Sequence, residues 1–150
     1  MQAARALRIV TRPVLQGRAF PASSMQLRWI TDEARGKISK AVKDRPVVLF
    51  MKGVPEAPRC GFSRAVSQVL AAYEIPSDKF KSYDVLMDQE LRESIKEFSD
   101  WPTIPQLYVN GEFVGGCDIV MDMHKTGQLE KLLEDSNVIP IIELPNETKV

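Results

Sequence analysis

The stretch VVLFMKGVPEAPRCGFSRAVSQVLAAY, from Val47 to Tyr73, decides the fold of this chain. It begins with five apolar residues in a row, which is typical of a strand buried on both faces. A loop rich in Gly and Pro follows, and after Cys60 apolar residues recur at helical spacing until Pro76. The stretch therefore predicts a strand, a loop and a helix, with a cysteine where the loop meets the helix.

The flanking sequence extends this pattern to an α/β domain. The other predicted elements are a helix capped by Thr31, a strand from Phe80 to Val85, a helix capped by Asp88, a hairpin at 106–109 and 112–115 around Asn110-Gly111, and a helix from about Asp118 through Leu133, broken near Gly127. A helix that joins two neighbouring strands requires a parallel pair, whereas a two-residue hairpin requires an antiparallel pair. We therefore expect a mixed sheet covered by helices.

The composition limits the class of protein. A chain of 150 residues is long enough to bury a core without disulfides, and its two cysteines argue against a secreted disulfide scaffold. The formal net charge is zero, so we expect no nucleic-acid partner. No apolar run approaches the roughly 20 residues that span a bilayer, so we expect no membrane partner either.

The two ends of the chain differ from its middle. Residues 1–30 are rich in arginine, and no acidic residue precedes Asp32. This composition is typical of a mitochondrial transit peptide, with a disordered basic tail as the alternative. Residues 135–150 contain Pro140 and Pro145 among polar residues and are predicted to be a C-terminal extension outside the core. The predicted domain is therefore 31–134.

Cys60 begins a run, Cys60-Gly61-Phe62-Ser63, that has the layout of a thiol redox site with serine in place of the second cysteine. A Cys-x-x-Cys pair completes thiol exchange by itself, whereas Cys60 needs a second sulfur from elsewhere. The start of a helix and the cation of Lys52 both favour its thiolate form. The alternative is a buried, inert thiol.

Three separated motifs follow one another along the chain: Lys52-Gly53 with Cys60-Gly61-Phe62-Ser63, then Trp101-Pro102-Thr103-Ile104-Pro105, then Gly115-Gly116-Cys117-Asp118. Together they resemble a monothiol glutaredoxin of the mitochondrial single-domain class. One departure is Val54, where that family usually has a small hydroxyl residue. The resemblance implies an α/β, thioredoxin-like (glutaredoxin) fold with a central four-stranded mixed sheet flanked by helices, and a cis bond before Pro105.

The resemblance also implies a glutathione site. The residues expected to bind glutathione are Lys52, Cys60, Phe62, Lys96, Thr103, Ile104, Gly116, Cys117 and Asp118. Thr103 would offer main-chain groups to the cysteine of glutathione, and Gly116 would permit close backbone approach. Asp118 would face the α-amine, and Lys52 and Lys96 would hold a carboxylate. An ordinary solvated helix face is the alternative for Lys96, and Trp101 is expected to pack rather than to contact the ligand.

The resemblance leaves two ways for glutathione to supply the missing sulfur. As an enzyme, the protein would use Cys60 to attack a glutathionylated protein, and a second glutathione would release it. As a carrier, two protomers would share a [2Fe-2S] cluster through two Cys60 thiolates and two glutathione thiolates, because the cluster needs four. The resemblance favours a carrier in iron-sulfur protein biogenesis in the mitochondrial matrix, with weak glutathione-dependent oxidoreductase activity at most.

The implied partners are glutathione, a second copy of the chain in the cluster-bound state, apo iron-sulfur acceptor proteins, BolA-like proteins and an Hsp70-type chaperone. A third hypothesis is a redox sensor that closes a disulfide between Cys60 and Cys117, although a packed thiol at a helix start also explains Cys117. His124, the only histidine, is interpreted as a helix-face residue rather than a metal ligand.

Overall fold

The computed structural model describes residues 30–141. Its elements, in chain order, are α1 (Asp32–Ala41), β1 (Val47–Met51), β2 (Gly53–Val54), β3 (Ala57–Pro58), α2 (Gly61–Ala72), β4 (Phe80–Asp84), α3 (Gln89–Ser99), β5 (Gln106–Val109), β6 (Glu112–Gly115), α4 (Cys117–Lys125) and α5 (Gln128–Asp135). The strand, the helices and the hairpin predicted from the sequence are all present in this order.

Strand β1 lies inside the main sheet, in which the strand order is β4-β1-β5-β6. It pairs in parallel with β4 and antiparallel with β5, so that Val47 lies between Phe80 and Val109. All five of its residues are buried, as the continuous apolar run predicts. Over residues 30–141 the fold is therefore an α/β, thioredoxin-like fold with a four-stranded mixed sheet, which confirms the predicted fold class.

The two faces of β1 belong to two different apolar clusters. Val47, Leu49 and Met51 pack in one cluster, with residues of α2, α4 and α5. Val48 and Phe50 pack in the other, with residues of α1 and α3. Because successive side chains of a strand point to opposite faces, one short apolar run anchors helices on both sides of the sheet.

The helix starts follow the capping residues that the sequence predicts. The Thr31 hydroxyl accepts a hydrogen bond from the Ala34 N–H at 3.1 Å, and the Asp88 carboxylate accepts one from the Leu91 N–H at 3.0 Å. The last predicted helix is divided into α4 and α5, and Gly127 between them has a φ of +76°. A positive φ costs glycine little, which explains why the helix breaks at this residue.

The loop that leads to Cys60 contains more structure than the sequence indicates. Its two-residue strands β2 and β3 form a small antiparallel hairpin in which Gly53 pairs with Pro58. Gly53 has a φ of +87°, and a Cβ atom there would lie 2.5 Å from the carbonyl oxygen of Ala57. Only glycine fits this turn, so the loop backbone has little freedom.

The predicted C-terminal extension is partly wrong. Val138 is fully buried and Ile139 is 9% exposed, and both belong to the cluster formed with α2, α4 and α5. The Lys79 ammonium holds this segment by donating to the carbonyl oxygens of Asn137 at 2.7 Å and Val138 at 3.2 Å. The core therefore continues beyond residue 134, because two apolar residues suffice to cover the end of α5.

The remaining predictions about the chain ends fall on residues 1–29 and 142–150, which lie outside the described residues. Between residues 30 and 141, no helix has both the length and the apolar character that a membrane crossing requires.

Candidate functional site

Cys60 is the N-cap residue of α2 and is half-buried. The pKa of its thiol is lowered chiefly by the backbone N–H of Ser63, with further contributions from the N–H of Phe62, the charge of Lys52 and the Ser63 hydroxyl, against the opposing effect of burial. Hydrogen bonds and a nearby cation both favour the charged form of a thiol. The surroundings of Cys60 therefore favour its thiolate form, unlike those of an inert buried thiol.

The backbone of Lys52 is tied to the start of α2. Its N–H donates to the Ser63 hydroxyl at 3.1 Å, and its carbonyl oxygen accepts from the Arg59 N–H at 2.9 Å. The next N–H, that of Gly53, donates to the Asp84 carboxylate at 2.9 Å. The loop before Cys60 is thus held by side chains from α2 and β4.

A cavity of about 320 Å³ adjoins Cys60. The predicted glutathione residues that line it are Lys52, Phe62, Lys96, Thr103, Ile104, Gly116, Cys117 and Asp118. Cys60 itself does not line the cavity, although its thiol interacts electrostatically with the lining residues Lys52 and Cys117. The fold therefore gathers eight of the nine predicted residues around one cavity and keeps the reactive sulfur beside it.

The charges of the cavity suit a ligand that has carboxylates and an amine. The cations Lys52, Arg92 and Lys96 line it together with one acidic residue, Asp118. Lys96 is not a freely solvated residue, because its side chain is only 28% exposed and its ammonium is 3.9 Å from the Glu93 carboxylate. The start of α4 adds backbone N–H groups, since a helix leaves its first donors without intrahelical partners.

Arg92 is a lining residue that the sequence reasoning missed. It lies four residues before Lys96 on α3, and residues at this spacing share one face of a helix. From this spacing, the sequence could have predicted that Arg92 lies beside Lys96 at the same site. Across the described part of the chain, the side-chain atoms that are buried without a hydrogen-bond partner are Nε of Arg92 and Nε1 of Trp101, and both residues line the cavity.

Trp101 both packs and lines the cavity. Its ring centroid is 5.6 Å from that of Phe113, as expected for a packing residue. Its Nε1 atom also lies close to Gly116, where an added Cβ would approach to 2.8 Å. The glycine is thus needed for the close packing of this wall, which fits the expected backbone approach at Gly116.

The segment before Pro105 forms another wall and is supported from below. The Ile104–Pro105 bond is cis, as the resemblance implied. The fully buried amide of Gln106 donates to the carbonyl oxygens of Trp101 at 3.0 Å and Thr103 at 3.2 Å. The role of Gln106 was not predicted from the sequence. An amide side chain at the start of a buried strand nevertheless indicates a structural role, because a buried polar group needs hydrogen-bond partners.

Cys117 is the first residue of α4 and is half-buried at the cavity. Burial raises the pKa of its thiol, and the charges of Asp118 and Cys60 raise it further. Both cysteines are free. The pKa values of the two thiols at this site are therefore shifted in opposite directions, so that the thiolate form is favoured at Cys60 and disfavoured at Cys117.

The remaining metal-ligand candidate lies elsewhere. His124 shares a 2.7 Å hydrogen bond between its Nδ1 and the Tyr73 hydroxyl, and the two rings pack edge to face. Over residues 30–141, no group of three or more His, Cys, Asp and Glu side chains could hold a metal ion.

Comparison with known proteins identifies the family. The Glutaredoxin family model matches residues 47–114, which run from β1 into β6. Over 116 residues the chain is 56% identical to the mitochondrial monothiol glutaredoxin-5 of Schizosaccharomyces pombe, and this match covers 77% of the chain and 80% of that protein. The chain belongs to the monothiol glutaredoxin family.

Two further matches agree with this assignment. The glutaredoxin is 52% identical to the mitochondrial monothiol glutaredoxin-5 of Saccharomyces cerevisiae over 81% of the chain and 80% of that protein. The solution structure of a monomeric truncated mutant of 1-C-Grx1 from Trypanosoma brucei matches with a TM-score of 0.63 and 43% identity, over 73% of this chain and 96% of that one. The protein is therefore a mitochondrial monothiol glutaredoxin, and glutaredoxins use glutathione.

Proposed function

We propose that this glutaredoxin binds glutathione in the cavity beside Cys60. Lys52 and Lys96 hold one carboxylate of glutathione, and Arg92 joins them. Thr103 and Ile104 pair with its peptide backbone, and Phe62 covers it. The charges of the cavity support this orientation, because glutathione has two carboxylates and one amine.

The other end of glutathione belongs at the start of α4. The backbone at Gly116 and Cys117 receives the γ-glutamyl carboxylate, and Asp118 faces the α-amine. Free N–H groups at a helix start and a neighbouring carboxylate are complementary to an α-amino acid group. The ligand thiol then lies toward Cys60, whose sulfur adjoins the cavity.

We propose further that the protein carries a [2Fe-2S] cluster as cargo, bound between two protomers. The observation that carries this proposal is one thiol of lowered pKa, Cys60, at the start of α2, with serine rather than cysteine at position 63. Four thiolates are needed for such a cluster. Two copies of Cys60 and two glutathione thiols complete the set, and the exchangeable glutathione ligands allow the cluster to be handed on.

In this proposal the protein serves iron-sulfur protein biogenesis in the mitochondrial matrix. Its recipients are apo iron-sulfur proteins, and BolA-like proteins and an Hsp70-type chaperone are its proposed partners. Residues 1–30 act as a transit peptide, residues 31–134 form the glutaredoxin domain, and residues 135–150 form a C-terminal extension, of which Val138 and Ile139 pack on the core.

The lowered pKa of Cys60 also supports a second candidate function, removal of glutathione from proteins. The Cys60 thiolate would attack the glutathione sulfur of a mixed disulfide, and the protein thiolate would leave and take up a proton. The thiolate of a second glutathione would then attack the Cys60–glutathione disulfide and form oxidised glutathione, which returns Cys60 to its thiolate.

Anaerobic reconstitution of the full chain tests the carrier proposal. With ferrous iron, sulfide and glutathione present, we expect a coloured dimer by absorption spectroscopy and light scattering, which bleaches and dissociates when glutathione is removed. The Cys60→Ser variant should stay colourless. The matched variant Cys117→Ser should assemble the cluster, because Cys117 is not one of the four proposed ligands.

A wild-type protein that stays colourless and monomeric under all these conditions would contradict the carrier proposal. Rapid turnover of a glutathione mixed disulfide by the same apo-protein would then support the oxidoreductase function instead.

A further inference from the structure

Two consecutive backbone N–H groups before Cys60 are bound by side chains from different elements. The N–H of Lys52 donates to the Ser63 hydroxyl of α2 at 3.1 Å, and the N–H of Gly53 donates to the Asp84 carboxylate of β4 at 2.9 Å. Neither contact touches the cavity, because Ser63 and Asp84 are not among its lining residues. Both contacts hold the backbone at Lys52, whose ammonium is one of the cations that line the cavity.

Ser63 is fully buried, so its hydroxyl has little access to water. A buried hydroxyl needs a hydrogen-bond partner, and here the backbone of Lys52 supplies one. A cysteine at the same position would offer a sulfur, which is a weak acceptor. The serine therefore has a role of its own in this loop, separate from the absence of a second thiol.

Asp84 is the last residue of β4 and pairs in register with Met51, the last residue of β1. One of its oxygens, Oδ1, accepts from the N–H of Gly53 and from that of Leu86, both at 2.9 Å. It thus joins the loop after β1 to the loop after β4. Gly53 has a positive φ and pairs with Pro58 in the β2–β3 hairpin, so a fixed N–H at this residue leaves the preceding peptide few orientations.

We propose that Ser63 and Asp84 are positioning residues that direct the Lys52 side chain toward a carboxylate of glutathione. The inference rests on the proposed glutathione site and deepens it, because it assigns the placement of the cation to two residues outside the cavity. Without these contacts the Lys52 backbone keeps the hydrogen bond from the Arg59 N–H to its carbonyl oxygen at 2.9 Å but loses the two that fix its N–H side and that of Gly53. The side chain then starts from a less fixed backbone, and the ammonium spends less time at the ligand.

A double-mutant cycle tests this role with S-methylglutathione, an analogue that cannot exchange disulfides or bind a cluster. We expect Ser63→Ala, Asp84→Ala and Lys52→Met each to weaken binding about three- to tenfold, as measured by calorimetry. In the Lys52→Met background, the Ser63 and Asp84 substitutions should have little further effect, since no cation remains to be directed.

Conservative variants serve as matched controls. Ser63→Thr keeps the hydroxyl and Asp84→Asn keeps the Oδ1 acceptor, so both should bind the analogue nearly as well as the wild type. Asp84→Asn also separates position from charge. The salt dependence of binding gives a second readout, because the contribution of Lys52 is screened by salt. It should become shallower in Ser63→Ala and Asp84→Ala, as in Lys52→Met.

The possible failures are distinguishable. If the wild type does not bind the analogue, the proposed glutathione site is wrong. If the wild type binds but the Ser63 and Asp84 substitutions weaken binding equally with and without Lys52, the positioning role is overturned. Should Ser63→Ala fail to fold, Asp84→Ala alone decides between additive and coupled effects, because Asp84 is only partly buried.

Discussion

The side-chain amide of Gln106 donates a hydrogen bond to the carbonyl oxygen of Thr103 at 3.2 Å. The same nitrogen donates to the carbonyl oxygen of Trp101 at 3.0 Å, and its Oε1 accepts from the Tyr108 hydroxyl at 3.3 Å. A buried side chain thus ties a wall of the cavity to strand β5. The geometry of that wall depends on a residue that makes no contact with the cavity.

Replacing Gln106 with Leu should destabilise the protein by about 1–3 kcal/mol, because two carbonyl oxygens and a hydroxyl lose their buried partner. Glutathione binding should weaken as well, since Thr103 is no longer held. Urea unfolding and calorimetry measure the two effects. The control is Gln89→Leu, which removes an exposed hydrogen bond to Glu93 and should change stability by less than about 0.5 kcal/mol. Equal effects of the two substitutions would contradict this prediction.

The two cysteines should react with iodoacetamide over different pH ranges. Alkylation requires the thiolate, so its rate rises as the pH passes through the pKa. The pKa of Cys60 is lowered from 9.0 chiefly by the backbone N–H of Ser63, whereas the pKa of Cys117 is raised from 9.0 chiefly by burial. With Cys117→Ser the remaining thiol should titrate below pH 9.0, and with Cys60→Ser above it. Two profiles with the same midpoint would show that these environments have no effect.

Tyr108 should limit stability at high pH. Burial is the chief cause that raises the pKa of its hydroxyl from 10.0 to about 12. Because the folded-state pKa is raised, this contribution to stability is complete below pH 10.0 and is lost as the pH rises through about 12. The full loss amounts to about 3 kcal/mol.

The measurement for Tyr108 is urea unfolding between pH 8 and pH 11.5, compared with Tyr108→Phe. The phenylalanine variant lacks the hydrogen bond to Gln106 and should start less stable. It should nevertheless lose less stability as the pH rises, since it has no hydroxyl to ionise. Parallel losses in the two proteins would assign the alkaline effect to other groups.

Val138 should contribute to the core although it follows the last helix. Val138→Ala opens a cavity at a fully buried position and should cost about 2 kcal/mol of unfolding free energy. Ile141→Ala is the matched control, because its side chain is 67% exposed, and it should change stability by less than about 0.5 kcal/mol. If both substitutions prove neutral, the segment after α5 is not part of the core in solution.

Sequence patterns predicted the fold well where a local signal matched the final environment. The apolar run of β1, the caps Thr31 and Asp88 and the turn at Asn110-Gly111 each determine the structure of a few neighbouring residues. Most of the residues that line the cavity were predicted through the resemblance, because they lie in the three motifs on which the resemblance rests. These are the features for which local preference and tertiary structure agree.

The missed features depend on contacts between distant residues. Gln106 holds the loop before β5, and Asp84 joins the loops after β1 and β4. Val138 packs against α2, α4 and α5, which come together only in the folded protein. In the sequence the apolar pair Val138-Ile139 is followed by a second pair, Ile141-Ile142, and no local signal shows that Val138 is buried while Ile141 is exposed. Arg92 is the exception, since its spacing from Lys96 on one helix was available from the sequence alone.

The order of the strands along the chain determines at what stage of synthesis Cys60 can be surrounded by its sheet and its cavity. Chains are synthesised from the N-terminus, so β1 and Cys60 are made before either neighbouring strand of β1. The parallel partner β4 is made before the antiparallel partner β5, and the helix that begins at Cys117 is made after both. A nascent chain therefore carries an exposed thiol without its cavity until translation has passed residue 125.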